Sequence, residues 1–538
     1  MKKLLRIFVT SLLVAVIALS AACRSDEGEA PEGDAAAVAG ELVVNVGPNP
    51  DTIDPALNSA VDGATMIIHS FEGLYSLDQN GTPVPGQAES VDISEDGTVY
   101  TFHLREGLKW SDGSPLTAND FVYSWNRAIA PETAADYAYM FESVKGYAEG
   151  EMAVTAVDDL TLEVELIART PYFLELAAFP VYFPVKQEIV EANADAWATS
   201  PDTYVSNGPY TMTEWVRGSY IKYVKNENYW NNDALGPDSI RFVLIEDNNA
   251  SLAGYESGEL KFIDAVPNAE IPRLKAQDDF KIEGQIGTYY ISYNVGAEAV
   301  DDPMFRKALT LAIDRDYITT NIGQAGQVNA GAFVSTGIGD AEPGVEFREV
   351  GGDYYDPSPE AYEANLEEAK AIIAELYPDG NIPTLEYIYN EDTGHQLIGE
   401  ALQQMWAEIG VEVTLQVQEW ATFLNTRKNQ EYQIARNGWL NDYNDPIGML
   451  DMWITGGGNN DAGWSNAEYD ALITAVKNSS DQTERMELMH QAEDLLFEEW
   501  VLCPIYYYVD VYMIDDSITN GFYSSPLGYK YFMYVEME

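Results

Sequence analysis

Arg436, Trp439 and Asp442 place a cation, an aromatic ring and an anion within one short segment. A free peptide is a zwitterion, so the carboxylate of Asp442 could hold its α-ammonium and the guanidinium of Arg436 its carboxylate. Charge-assisted hydrogen bonds of this kind are stronger than neutral ones. Trp439 would then wall the space between the two charges. The alternative is a surface salt bridge beside a core tryptophan.

A strand–helix–strand unit is predicted just before this segment. Leu385–Tyr389 and Val411–Val417 alternate as strands, and His395–Ile409 has apolar residues at helical spacing before Gly410. Such a unit implies parallel pairing with a right-handed crossover. The Met and aromatic stripe of the helix indicates core packing rather than a cofactor site.

Other elements are predicted along the whole chain, and together they indicate an α/β protein with added hairpins. A capping box at Thr117–Asp120 opens a helix, and Pro303 opens another. Thr65–Phe71 is predicted as a short helix or the start of a strand. The remaining predicted strands are Leu42–Val46, Tyr100–Leu104, Leu160–Leu166, Thr288–Tyr293, and a hairpin of Tyr210–Trp215 with Tyr220–Val224.

The N-terminus predicts export. Residues 1–22 combine a basic start, an apolar stretch and small residues before Cys23, which is the pattern of a signal peptide. The cysteine at the cleavage point predicts lipidation, and plain secretion is the alternative. Residues 23–41 are rich in Ala, Gly, Asp and Glu, so they are expected to form a flexible tether.

Charge and composition narrow the function classes. With 88 acidic against 29 basic residues, the formal charge is −59, which disfavours nucleic acid and anionic membranes as partners. So many carboxylates pair by chance that no acid/base dyad is inferred. The two cysteines and four scattered histidines indicate no metal site, and no catalytic motif is present. No cofactor, metal or enzymatic activity is predicted; a secreted hydrolase is the disfavoured alternative.

Short motifs in a fixed order, together with the site positions given below, carry a resemblance over more than 400 residues. They include Thr52-Ile53-Asp54-Pro55, Phe71-Glu72-Gly73-Leu74, Lys109-Trp110-Ser111-Asp112-Gly113, Asn207-Gly208-Pro209-Tyr210 and Ala312-Ile313-Asp314-Arg315. In this order the chain resembles the oligopeptide-binding lipoproteins of bacterial ABC importers, which are extracellular solute-binding proteins of family 5.

The resemblance implies a two-lobed clamp of the periplasmic-binding-protein type (type II, three domains), with mixed sheets and a ligand cleft between the lobes. Domain I would comprise 42–71, 197–295 and 509–538; domain II, 72–196; and domain III, 296–508.

The function that the resemblance implies is capture of short peptides and their delivery to the permease subunits of an ABC importer. The protein would be a monomer outside the cytoplasm, held to the membrane by its lipid anchor alone. The alternative is the same fold binding an oligosaccharide or another small solute.

Eight residues match ligand-facing positions of the family, and their roles are implied by the resemblance. Asp442 would hold the peptide α-amino group, and His395 would meet the carboxylate of a short peptide. Tyr508 would lie near both hinge and site. The other matches are two arginines near the ligand, two flanking tryptophans and a ligand-facing tyrosine: Arg427, Arg436, Trp420, Trp439 and Tyr137.

Each match has a structural alternative. Arg427 and Arg436 could only pair with acidic neighbours, and Tyr137 could be a core aromatic. Tyr508 could be strand packing, and His395 a polar residue at a helix start.

Two departures from the family pattern leave peptide length open. Ser59 stands where the best-known members have an acidic residue near the ligand. No Lys or Arg occurs between Arg315 and Arg348, where other members place a base for the carboxylate of longer peptides.

Overall fold

The computed structural model describes residues 40–79, 81–525 and 527–538, apart from the side chain of residue 195. The strands are β1 Glu41–Asn45, β2 Tyr75–Leu77, β3 Pro83–Pro85, β4 Ala88–Ile93, β5 Val99–Leu104, β6 Val154–Asp158, β7 Thr161–Glu165, β8 Tyr210–Val216, β9 Tyr220–Lys225, β10 Ser239–Val243, β11 Phe262–Ile263, β12 Phe280–Tyr293, β13 Val328–Asn329, β14 Leu385–Asn390, β15 Val413–Gln418, β16 Ile434–Leu440, β17 Leu502–Ile514, β18 Ile518–Asn520, β19 Tyr523–Ser524, β20 Lys530–Tyr531 and β21 Glu536–Met537.

The α-helices alternate with these strands, which makes the described chain an α/β protein. They are α1 Val61–Ser70, α2 Ala118–Ile129, α3 Phe173–Leu176, α4 Gln187–Asn193, α5 Asn248–Glu256, α6 Ile271–Leu274, α7 Pro303–Leu311, α8 Arg315–Tyr317, α9 Phe347–Gly351, α10 Tyr362–Leu376, α11 Thr393–Ala407, α12 Trp420–Lys428, α13 Ile447–Leu450, α14 Ala467–Asn478 and α15 Gln482–Glu498.

One mixed sheet runs through the molecule in the order β15-β14-β16-β12-β17-β11-β1-β10-β9-β8, and β13 pairs with β17 as well. Its centre is the long antiparallel pair β12–β17. The pairing of these two strands is interrupted between Gly284 and Thr288. Parallel pairs lie on both sides of the centre, β1 with β10 on one and β14 with β15 on the other.

The predicted strand–helix–strand unit is confirmed. β14 and β15 are parallel neighbours, and α11 connects them. The helix starts at Thr393, two residues earlier than predicted, because the Asp392 side chain caps it by accepting the backbone N–H of His395 at 2.8 Å. Trp406 is fully buried and donates its indole N–H to the carbonyl of Leu309 at 2.8 Å. The stripe on this helix is core, as predicted.

Residues 88–165 contain a second, antiparallel sheet in the order β4-β5-β7-β6. Helix α2 follows the predicted capping box, in which Thr117 and Asp120 cap each other. The segment predicted as helix or strand start is the helix α1, which begins earlier, at Val61. The prediction for β12 was too short, since this strand begins at Phe280 rather than at Thr288.

The predicted signal peptide, Cys23 and residues 24–39 of the predicted tether lie outside the described residues. Strand β1 begins at Glu41, the last residue assigned to that tether. The division into three domains stays a prediction. Within the described ranges, no helix combines the length and the apolar character that a membrane span requires. In the same residues, no group of three or more His, Cys, Asp or Glu side chains is arranged to hold a metal ion.

Candidate functional site

A cavity of about 400 Å³ lies against the C-terminal part of β16 and the loop that follows it. All eight residues predicted for the site line this cavity, although they come from distant parts of the chain: Tyr137, His395, Trp420, Arg427, Arg436, Trp439, Asp442 and Tyr508. The structure therefore brings the whole predicted set together. Their roles in binding stay a prediction.

Strand β16 offers a backbone edge to the cavity. On one side it pairs with β12 along its whole length. On the other side β14 reaches only Ile434 and Ala435. Over Arg436–Leu440, no other strand of the described chain occupies that edge. An extended peptide can add to such an edge as a further strand.

Asp442 follows this edge and is the most unusual acid in the cavity. Its side chain is 8 % exposed, and its Oδ1 accepts the hydroxyl hydrogen of Tyr137 at 3.1 Å. Its Oδ2 is buried without a hydrogen-bond partner, and no cation of the described chain pairs with it. Burial raises the pKa of Asp442 well above its ordinary value, and the Asp451 carboxylate adds to the rise. A cation delivered to this carboxylate would relieve both effects.

Residues of the segment 72–196 hold the loop that carries Asp442 in place. The ring of Tyr443 stacks on that of Tyr172 with centroids 4.7 Å apart. The backbone N–H of Asn444 donates to Glu175 Oε2 at 3.0 Å. Together with the Tyr137 bond, these contacts fix the position of the Asp442 carboxylate.

Arg436 is half-buried at the opposite end of the strand edge. It donates to the Tyr508 hydroxyl oxygen at 3.4 Å, and its guanidinium lies 5.2 Å from the ring centre of Tyr289. Its Nε is buried and has no hydrogen-bond partner among the described residues. No carboxylate among the described residues lies within ion-pair distance of it, so the alternative of a simple acidic partner does not describe Arg436. The guanidinium is free to meet a ligand carboxylate.

Arg427 differs, because it does pair with an acid. Its Nε lies 3.6 Å from Asp461 Oδ2, and it donates to Asn437 Oδ1. These contacts match the structural alternative for this residue. Arg427 braces the cavity wall next to the strand edge.

The two predicted tryptophans form walls of different kinds. Trp439 is buried and donates its indole N–H to the Gly448 carbonyl at 2.9 Å, which fixes the ring. Its ring centre lies 6.2 Å from that of Tyr137. Trp420 is the first residue of α12, and its indole nitrogen is buried without a hydrogen-bond partner.

His395 lies in the first turn of α11, beside Tyr289, whose ring lies under the guanidinium of Arg436. Its Nδ1 is 3.3 Å from the Tyr289 hydroxyl. Burial, followed by the charge of Arg436, lowers the pKa of His395 to about 3, so the ring is neutral at physiological pH. Any contact with a peptide carboxylate would therefore be a hydrogen bond from a neutral ring.

Tyr508 lies close to the strand edge because position 438 is a glycine. A Cβ on Gly438 would lie 2.1 Å from the Tyr508 hydroxyl. The absence of that carbon lets the tyrosine reach Arg436.

Comparison with known proteins shows to which family the chain belongs. Residues 82–461 match the model described as bacterial extracellular solute-binding proteins, family 5. The oligopeptide-binding protein OppA of Bacillus subtilis is 35 % identical over 97 % of this chain and 98 % of its own length. The chain belongs to family 5 of the extracellular solute-binding proteins. This family is a class of transport proteins rather than of enzymes.

Solved structures of the family confirm the predicted fold class. OppA of Haemophilus influenzae, in complex with the peptide RPPGFSPFR, has a TM-score of 0.87 at 28 % identity, covering 92 % of this chain and 98 % of that one. An unliganded, open form of the murein tripeptide-binding protein MppA, also 28 % identical, covers 92 % of this chain and 97 % of its own with a TM-score of only 0.61. The present conformation is therefore closer to the peptide complex than to the open form.

Ser59, the residue that departs from the family pattern, is hydrogen-bonded to an acid from another part of the chain. Its hydroxyl donates to Asp136 Oδ2 at 3.0 Å, and Lys428 pairs with the same carboxylate at 2.5 Å. Asp136 therefore lies beside Ser59 as an acid that is already paired with a lysine.

Sequence reasoning missed the acidic part of the cavity wall. Asp62, Glu246, Asp264, Glu391, Asp392 and Asp461 also line it. Their spacing in the sequence carries no signal, since the chain has 88 acidic residues and most have no special role.

Proposed function

We propose that this family 5 protein captures short peptides by their two charged ends and by their backbone, and hands them to an ABC importer. The observation that carries the proposal is a pair of opposite, unpaired charges at the two ends of a free strand edge. Asp442 would take the α-ammonium and Arg436 the α-carboxylate. The edge of β16 between them would hold the peptide backbone.

Closure of the cavity around a peptide would strengthen these contacts. A charge pair in a water-poor cavity is stronger than the same pair in water. A peptide that bridges the walls would therefore favour the closed state over the open one. The closer match to a relative in complex with a peptide supports this mechanism.

The oligosaccharide alternative is not favoured. A neutral sugar would leave the charges of both Asp442 and Arg436 without an opposite charge in the closed site, which costs free energy. The relatives named above are called peptide-binding proteins, and this supports the peptide assignment.

Calorimetry with blocked peptides tests the proposal. We expect N-acetylation of a tetrapeptide to lower its affinity about a hundredfold, because the acetylated end leaves Asp442 unpaired. Equal affinity for the free and the acetylated peptide would contradict the assignment. Mass spectrometry of the ligand that denaturation releases from the purified protein is an independent check. We expect peptides, and glycans would contradict the peptide assignment.

Anchoring and delivery are the remaining parts of the proposal. The supporting pattern is the run of small residues before Cys23. We expect the mature protein to fractionate with membranes and a Cys23→Ala variant not to be lipidated. Mass spectrometry of the N-terminal peptide measures this, and an unmodified Cys23 would contradict it.

A further inference from the structure

The cavity wall carries more carboxylates than internal cations can neutralise. Lys530 pairs with Asp264 at 3.0 Å, and Arg427 pairs with Asp461. Two more basic residues lie in the wall: Lys428 pairs with Asp136 outside it, and Arg436 has no acid of the described chain within ion-pair distance. Asp62 and Glu246 have no ion-pair partner among the described residues.

Asp62 lies in the first turn of α1 and is half-buried. Its Oδ2 is buried and has no hydrogen-bond partner. Burial raises the pKa of Asp62 to about 6, although backbone N–H groups at residues 62 and 63 oppose the rise. The nearby charges that act on it are those of Asp51 and Asp264.

Glu246 precedes α5 and repeats this pattern. Its Oε1 is buried without a hydrogen-bond partner. Burial raises the pKa of Glu246 to about 7, and the charges of Glu391, Glu419 and Asp392 add to the rise. Each of these neighbours is an acid, and no basic side chain of the described residues lies within ion-pair distance of Glu246.

Trp420 lies between the two carboxylates. Its indole N–H faces Asp62, and its backbone N–H faces Glu246. An aromatic ring flanked by carboxylates suits one kind of group, a long side chain with a positive end. The stem of a lysine or arginine packs on the ring while its charged end meets the acids.

The corner formed by Trp420, Asp62 and Glu246 lies towards the Arg436 end of the cavity. Asp392, one of the acids beside Glu246, lies 3.8 Å from His395 Nδ1. His395 in turn contacts the Tyr289 hydroxyl at 3.3 Å, and the Arg436 guanidinium lies over the same Tyr289 ring. Asp442 belongs to a different set of neighbours, Tyr137 and Asp451. A peptide anchored at Asp442 would therefore reach the corner with a residue after its first.

We propose that Trp420, Asp62 and Glu246 form a subsite for a lysine or arginine side chain of a bound peptide, at a position after the first residue. The subsite rests on the proposed peptide-binding function and adds a preference for cationic peptides. It requires no further cofactor, since the carboxylates themselves supply the opposite charge.

Alanine tetrapeptides with a single lysine at position 2, 3 or 4 test the subsite. Each is compared by calorimetry at pH 8 with the peptide that has norleucine, an uncharged chain of similar length, at the same position. At one position we expect lysine to bind at least about tenfold tighter, which corresponds to about 1.4 kcal/mol. In the double variant Asp62→Asn, Glu246→Gln, we expect this ratio to fall to about twofold or less.

Asp51→Asn is the matched control, because Asp51 is an exposed acid near Asp62 that does not line the cavity. It should keep the lysine preference. The subsite is refuted when the wild type binds both peptides equally at all three positions, when the double variant keeps the ratio, or when Asp51→Asn abolishes it as well. Failure of the peptide-binding function would look different, since norleucine peptides would then not bind, or would bind without regard to N-acetylation.

A measurement on the wild type covers the case in which the double variant does not fold. Both carboxylates must be ionised to pair with lysine, and their pKa values of about 6 and about 7 lie above the ordinary range. The lysine-to-norleucine ratio should therefore shrink as the pH falls from about 8 to about 5. A ratio that is the same at both pH values would overturn the proposal.

Discussion

Asp442 and Asp445 are three residues apart in one loop and are equally buried, yet they have opposite surroundings. Asp445 is 7 % exposed and receives two bonds from Arg485, each 3.0 Å long. Its Oδ1 also accepts the backbone N–H of Ile447. Asp442 is 8 % exposed and has one neutral donor, Tyr137, with no cation.

The difference separates charges that hold the fold from charges that await a ligand. A buried acid with an internal cation is satisfied in the protein alone, whereas one without a cation carries an unrelieved desolvation cost. The same contrast recurs for arginine. Arg348 forms two 2.8 Å bonds to Glu493, while Arg436 has no acid within ion-pair distance among the described residues and contacts Tyr289 and Tyr508 instead. Pairing, rather than burial, distinguishes the candidate site from the framework.

The largest effect should follow from breaking the framework pair. Asp445→Ala leaves Arg485 buried without its partner, so we expect a loss of about 3–5 kcal/mol in the free energy of unfolding. Urea titration of the peptide-free protein measures it. Asp442→Ala is the matched comparison and should not destabilise the protein, since it removes a desolvated charge. Equal destabilisation by both variants would erase the distinction between the two acids.

The second effect concerns binding. We expect Asp442→Ala to lower the affinity for a free tetrapeptide by about 2–5 kcal/mol, because the α-ammonium would be buried unpaired. The variant should no longer distinguish the free from the N-acetylated peptide in calorimetry. A variant that keeps this distinction would show that another group holds the ammonium.

Arg436→Gln should weaken binding less, by about 1.5–3 kcal/mol, which is the usual range for hydrogen bonds to charged groups. The loss should appear for a tetrapeptide with a free carboxylate and vanish for its C-terminal amide. Competition binding against a fluorescent peptide measures both. An equal loss for the two peptides would assign Arg436 to wall structure.

The smallest effect is expected for Tyr137→Phe. This change removes the hydroxyl that donates to Asp442 and leaves the ring in place. We expect a loss of about 1 kcal/mol in peptide affinity, since the ammonium remains paired with the carboxylate. No change in calorimetry would mean that Tyr137 contributes only packing.

Local patterns predicted the elements well where one face of the element is apolar. The unit β14–α11–β15 and the capping box at Thr117 are confirmed because hydrophobic period and capping chemistry act over a few residues. The start of β12 was missed although residues 280–283 alternate apolar and polar, because Gly284 and Gly287 interrupt the pattern before Thr288. That part of the strand forms because it pairs with β17, more than 200 residues further along the chain, and local sequence patterns do not predict such pairing.

The site was predicted less evenly. The eight residues predicted from the resemblance do line one cavity. The resemblance did not distinguish Arg427, which forms an ion pair with Asp461, from Arg436, which forms none with the described residues. It also missed Asp62 and Glu246. A carboxylate becomes notable only when it is buried and unpaired, and both properties depend on residues far away in the chain.

The most direct test is a crystal structure of the protein with a bound tetrapeptide. We expect the peptide to lie as an added strand along Arg436–Leu440, with its α-ammonium about 2.7–3.2 Å from an Asp442 carboxylate oxygen. A structure in which that carboxylate is turned away from the cavity, or in which the ammonium contacts a different acid, would contradict this expectation.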